Sequence, residues 1–411
     1  MKKIVSLFVI TTLILLKVGA QTRIHEGWYR AELLRSDGIS IPFNFESKLV
    51  NRKWNLFIRN ASERIKVDQI SFKKDSVFIQ MPVFESRFKA KILNDGSLQG
   101  EWTRGSASSD IILSFKAIPA IEGRFPVHQK PVANISGRWA VNFISSDTNE
   151  RKSVGEFKQN GNKLTGTFLT TTGDYRFLEG VVDGDSMLLS TFDGSHAYFF
   201  KAKIVSPQEI IEGHYYAGAR SHQEWTALKD STAQIPEDAS AVYLKPGEER
   251  LHFSFQDLSG KKISISDSRF KNKVVIVQIM GSWCPNCMDE TKFLSDYYLK
   301  NRKRGVEVVS LAYEYSEDLA RSKKSLQKFK DRFNVQYPML LTGVRTSDSL
   351  RTEKTLPEIT PIKMFPTTIF LGKDGKVRKI DTGFTGPGTG QHYELFKKEF
   401  YRTVDGLLKE K

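Results

Sequence analysis

The 411-residue chain holds two cysteines, Cys284 and Cys287, three positions apart. Two cysteines placed at random would take that spacing roughly once in 200, so the Cys-x-x-Cys pattern asks for a chemical reason. Zinc would need two further ligands, and the seven histidines, at 25, 128, 196, 214, 222, 252 and 392, include no His-x3–5-His pair. A structural disulfide across so short a loop would remove little chain entropy. Redox exchange is the better use of the pair, with Cys284 and Cys287 alternating between dithiol and disulfide.

The neighbouring residues assign unequal roles. Gly281-Ser282-Trp283-Cys284-Pro285-Asn286-Cys287 comes directly after an apolar strand predicted over 274–279 and opens a helix predicted over about 285–302. Cys284 falls at the N-cap and Pro285 at the first helical position, where a missing N–H is harmless. Unpaired backbone N–H groups and the positive helix end stabilise a thiolate there. Cys284 is therefore the expected nucleophile and Cys287, one turn inward, the resolving thiol. Glu290 shares the helix face of Cys287. It is either a proton acceptor for the inner thiol or an ordinary surface carboxylate near a helix start.

These residues need a sheet to hold them. From 251 onward the pattern predicts a hairpin around Ser259-Gly260, then the 274–279 strand and the 285–302 helix, and a strand over 306–312. Next come a helix over 317–333, strands near 337–341, 367–371 and 377–381, and a last helix over 392–409. That order describes an α/β sandwich with a mixed sheet. The basic face of the 317–333 helix reads as solvated surface.

Residues 250–411 resemble the thioredoxin-like TlpA/ResA family of exported thiol-disulfide oxidoreductases. The resemblance is carried by Trp283-Cys284-Pro285-Asn286-Cys287, the preceding hairpin, Phe365-Pro366-Thr367-Thr368-Ile369-Phe370 and an export signal. It implies a thioredoxin-like fold, a cis Pro366 facing the cysteines, and proton handling by Glu290. It also implies a substrate-binding face of Trp283, Pro285, Phe365, Pro366 and Thr367, with no cofactor or metal. Substrates would be apocytochrome c or other exported proteins bearing disulfides or dithiols, with a membrane-bound electron donor.

Three departures stand out. Gln278 occupies the place of the buried carboxylate of thioredoxin, and Asn286 that of the proline before its second cysteine. Extra chain over 343–363 is either a substrate-selecting loop or a surface excursion. A peroxiredoxin Pro-x-x-x-Thr-x-x-Cys motif is excluded by Val277 and Gly281, and a copper-chaperone Cys-x-x-x-Cys by spacing. A dithiol oxidase is the chemical alternative.

The N-terminal half is of another kind. Lys2 and Lys3, an apolar run over 4–16 and Val18-Gly19-Ala20 form an export-signal pattern over 1–20. Short alternating runs with turns at Asn160-Gly161, Asp183-Gly184 and Asp193-Gly194 predict an antiparallel β region. It looks duplicated: Gly27-Trp28-Tyr29, Phe88-Lys89-Ala90 and Gly100-Glu101-Trp102 return as Gly137-Arg138-Trp139, Phe200-Lys201-Ala202 and Gly213-His214-Tyr215. The expected architecture is multidomain: an all-β tandem repeat over 21–130 and 131–218, a linker or strap over 219–249, and a thioredoxin-like α/β domain over 250–411. Trp28, Trp102, Trp139 and Tyr215 read as core rather than pocket lining, although the β region is a candidate module for binding partners. The net charge of +15 comes without a basic, aromatic-interleaved block, so no nucleic-acid partner is expected.

Overall fold

Alternating side chains build the N-terminal sheets. In Ser86–Ile92, Phe88, Ala90 and Ile92 are buried while Arg87, Lys89 and Lys91 face solvent, as a period of two requires. The computed structural model describes residues 24–410 except 108, 146–148 and 237–240, so the expected export signal lies outside the described residues. The first sheet is a nine-stranded meander from Gly27–Leu34 to Ile111–Pro119, and these two outer strands of the sequence pair with each other. Among the described residues no ladder joins Glu63–Val67 to Gln69–Lys73, and exposed Arg64, Lys66 and Lys73 guard these edges.

The second sheet takes the same meander from Gly137–Ile144 to Ser221–Lys229, and pairing of Glu150–Asn160 with Lys163–Thr170 closes it into a barrel. Trp139, Tyr215 and Trp225 fill this barrel, as Trp102 fills the first sheet. The two sheets share packing. The turn joining Ser186–Phe192 to Ala197–Ser206 enters the first core, where the Phe43 and Phe192 rings lie 4.3 Å apart and Trp102 Nε1 donates to Gly194 O at 3.1 Å. Gly194 has φ +107°, and a Cβ there would stand 2.4 Å from Met81.

The expected end of the second unit at 218 is corrected by this barrel. Ser221–Lys229 is its last strand, with Trp225 and Ala227 inward; the polar His222-Gln223-Glu224 between turn and core disguises it in the sequence. Beyond this strand the chain becomes a strap. Val242 is buried against the C-terminal domain, Lys245 N donates to Glu358 O at 2.8 Å, and Leu244 bridges Ile359.

In the C-terminal domain the elements are β1 (Ser254–Asp257), β2 (Lys262–Ser264), β3 (Val274–Met280), α1 (Pro285–Asn301), β4 (Val306–Ala312), α2 (Leu319–Arg332), β5 (Met339–Leu341), α3 (Arg351–Thr355), β6 (Thr367–Leu371), β7 (Val377–Thr382) and α4 (Gln391–Lys409). The sheet order is β2-β1-β5-β4-β3-β6-β7, with β3, β4 and β5 parallel and β6 antiparallel to β3. Alternation along β3 divides the core. Val274, Ile276 and Met280 meet α1, α2 and α4, whereas Val275, Val277 and Ile279 meet the strap and the 350s segment. Among the described residues no helix is long and apolar enough to cross a membrane.

Candidate functional site

The sheet delivers the dithiol at the C-terminal end of β3. Pro285 starts α1, and Cys284 is its N-cap: its Sγ accepts from Cys287 N at 3.2 Å. Both cysteines are free thiols, Cys284 4% exposed and Cys287 fully buried. Burial, then the neighbouring Cys284, pushes the Cys287 thiol well above its ordinary range. The inner cysteine is thus held protonated, and its use as a nucleophile needs a base.

Phe365 and Pro366 lie opposite, joined by a cis peptide bond, and Phe365 O stands 3.6 Å from Cys284 Sγ. Trp283 rests edge-on against Phe365 at 5.4 Å, stacks on Tyr315 at 5.1 Å and donates from Nε1 to Tyr313 O at 2.8 Å. Trp283, Pro285 and Phe365 remain half-buried around the thiol. Thr367 does not join this face. It is fully buried with its hydroxyl on Met364 O, because the first residue of β6 turns inward. The 343–363 segment is neither an open loop nor a plain excursion. It contains α3, buries Leu356, Ile359 and Ile362, and sets the Arg351 guanidinium 5.9 Å from the Phe365 ring.

Glu290 is an interior group, not a surface carboxylate. Only 2% exposed, it accepts from Gln278 Nε2 at 2.8 Å and Thr368 Oγ1 at 2.7 Å. Burial pushes its carboxyl up to about 7, against the pull of these two donors. Gln278, itself fixed by Ser310 Oγ at 2.7 Å, thus anchors a buried carboxylate instead of supplying one. A second buried carboxylate, Glu314, accepts from Ser282 N and Oγ at 2.9 and 2.6 Å and is raised by burial to about 7. Sequence reading missed Thr368 and Glu314; the Thr-Thr after Pro366 was the signal for the first.

The β region closes over the same end of the domain. Arg176 donates from Nε and Nη2 to Asp289 at 2.7 and 2.9 Å and from Nη2 to Glu63 at 2.6 Å, tying both sheets to α1. The Asn286 amide pairs with the Asp174 backbone at 3.2 and 3.3 Å. Val83 and Phe84 of the first sheet join the hydrophobic cluster that contains Cys284 and Cys287. Glu85 beside them accepts from Arg321 Nη2 at 2.7 Å and also from Ser325. None of these partners carries a local motif.

The AhpC/TSA family matches residues 246–380. Over 140 residues the chain is 26% identical to thiol-disulfide oxidoreductase ResA of Bacillus subtilis (strain 168), covering 34% of this chain and 69% of that protein. It is 29% identical over 146 residues to ResA of Geobacillus thermodenitrificans (strain NG80-2), covering 35% and 74%. A solved thiol:disulfide interchange protein of the thioredoxin family from Chlorobium tepidum TLS is similar over 42% of this chain and 99% of its own, with 21% identity and a TM-score of 0.29. The matched family stretch leaves the β region outside it. The C-terminal part of the chain is a thioredoxin-like domain that matches the AhpC/TSA family over residues 246–380 and is similar to the ResA thiol-disulfide oxidoreductases.

Proposed function

We propose that the chain is an exported thiol-disulfide oxidoreductase that reduces disulfides of other exported proteins. One observation carries this reading: Cys284 Sγ caps α1 while Cys287 is sealed behind it. The Cys284 thiolate attacks a substrate disulfide, forms a mixed disulfide and expels one substrate thiolate. Cys287 gives its proton to Glu290 and attacks Cys284 Sγ; the second substrate thiolate leaves, and the dithiol has passed two electrons to the substrate. A membrane-bound dithiol donor restores it. Val277 and Gly281, both buried, offer no proline or threonine for peroxide chemistry.

Export to the periplasm or cell envelope rests on the pattern of residues 1–20. The two β sheets are read as copies of one unit. They share a meander, Gly27 and Gly137 open their first strands at φ +118° and +115°, and Phe88 and Phe200 lie in the third strand from the end of each.

The test is twofold. Cys287→Ser should accumulate reductant-sensitive adducts with partner proteins, and Cys284→Ser should not. Equal trapping by both variants would sink the assignment of roles. The equilibrium potential against glutathione should lie well below that of the glutathione pool; a value well above it would make the dithiol an oxidase.

A further inference from the structure

Thiol-disulfide exchange at Cys284 and Cys287 uses none of the β region, yet Phe84 of the first β unit packs in the nucleophile's cluster and the second unit stands behind Phe84. Phe84 shares the cluster of Cys284 and meets the His196 ring edge-on at 5.1 Å. A narrow crevice beside Trp283 is lined by Phe84, Gly105 and Ser195. One residue before Gly105 and one after Ser195, at Arg104 and His196, begins a cleft of about 900 Å³ between the two sheets, lined also by Asp110, Tyr198 and Arg220. Arg104 stands at the junction, donating to Ser195 O at 3.3 Å. Burial first, and then the neighbouring Asp193 and Tyr175 with a smaller part from Cys284, push the Tyr198 phenol well above its ordinary range.

The charges in the cleft are unbalanced. Asp110 is paired with Arg87 and Asp193 with His196, while Arg104 and Arg220 have no carboxylate partner among the described residues. We propose that the β region selects the substrate: a disulfide carried on an extended acidic peptide segment reaches Cys284 through this cleft, with Arg104 and Arg220 as selecting residues and Phe84 as the wall that excludes folded proteins. An extended strand fits a cleft that a folded surface does not, and two unpaired guanidiniums favour carboxylates beside the scissile disulfide. The proposal rests on the oxidoreductase reading of Cys284 and Cys287.

Single-turnover oxidation of the pre-reduced full-length chain tests it without any electron donor. The oxidants are a glutamate-flanked cysteine peptide as its mixed disulfide with glutathione, the lysine-flanked counterpart, and insulin. In each reaction the substrate disulfide gains two electrons and two protons, and Cys284 and Cys287 end as a disulfide. The acidic peptide should react about tenfold faster than the basic one, and Arg104→Ala with Arg220→Ala should shrink that ratio to about twofold or less. Phe84→Ala should raise the insulin rate relative to the acidic peptide by about tenfold. Arg321→Met, which releases Glu85 at the half-exposed rim, tests the same wall if Phe84→Ala does not fold. Equal rates with the two peptides, a preference that survives the double substitution, or an insulin ratio unmoved by opening the wall would overturn the proposal. A dithiol inert even to oxidised dithiothreitol would instead overturn the oxidoreductase reading, and this one with it.

Discussion

At pH 7 Glu290 stands near its own midpoint, about 7, while Cys287 is still a thiol. Glu290→Gln should therefore slow oxidation of the dithiol by about tenfold to a hundredfold and erase a rise in rate through pH 7, measured by stopped-flow tryptophan fluorescence. Stability moves the other way. The carboxyl rises from 4.5 in the unfolded chain to about 7 when folded, so its contribution is fully present below pH 4.5 and is lost as pH climbs through 7. That shift corresponds to about 3 kcal/mol. Urea unfolding at pH 4.5 and 8 should show the difference between the two conditions reduced by up to that amount in Glu290→Gln. Thr368→Val removes a donor to the ionised form and should displace the rate limb upward by about one pH unit. The cysteines and Phe365-Pro366 are legible in sequence because their chemistry is local. Whether Glu290 is inside is not, since its burial depends on Gln278 of β3 beneath α1 and on Thr368, 78 positions away.

At the scale of elements, α1 is gripped from both sides. Arg176 is held among Asp289, Glu63 and Asp193, and taking it away leaves Asp289 and Glu63 without their cation and Asp193 with His196 alone. Arg176→Met should destabilise the chain by about 3–5 kcal/mol, read from urea unfolding, with a smaller loss at low pH, where Glu63, its carboxyl raised by burial, accepts a proton. Gly173 has φ +135°, and a Cβ on it would stand 1.9 Å from the Asn286 amide. Gly173→Ala should push the barrel from the start of α1 and speed reaction of Cys284 with a thiol reagent, timed against the parent chain. The strands and the three long helices of this domain are legible from periodicity and caps, with the ends of α1, α2 and α4 within about two residues of expectation, whereas the short α3 is not. The contacts among elements are not, because Arg176 and Asp289 are 113 positions apart and neither sits in a motif.

Across the whole molecule, the seven-stranded sheet is complete without the β region, and Val83 and Phe84 are the only residues from before the strap within its two core clusters among the described residues. A chain starting at Ala241, which keeps Val242 and Leu244 of the strap, should fold, with Cys284 more reactive toward iodoacetamide than in the parent; an unfolded circular dichroism spectrum would show that the β region completes the domain. The division into an all-β half and an α/β half is legible from the change of period near 251. The barrel boundary is not, because a strand with one polar face resembles a linker until its partner is known. The interlocked turn at Phe192–Ala197 bears on how such a chain is made. The first sheet has all its own strands once Pro119 has emerged, yet its core lacks Phe192 and Ala197 until a further stretch has been added. During vectorial synthesis it waits with two unpaired edges and an unfilled interior, so the charged edge strands guard an intermediate that lasts until the second barrel arrives.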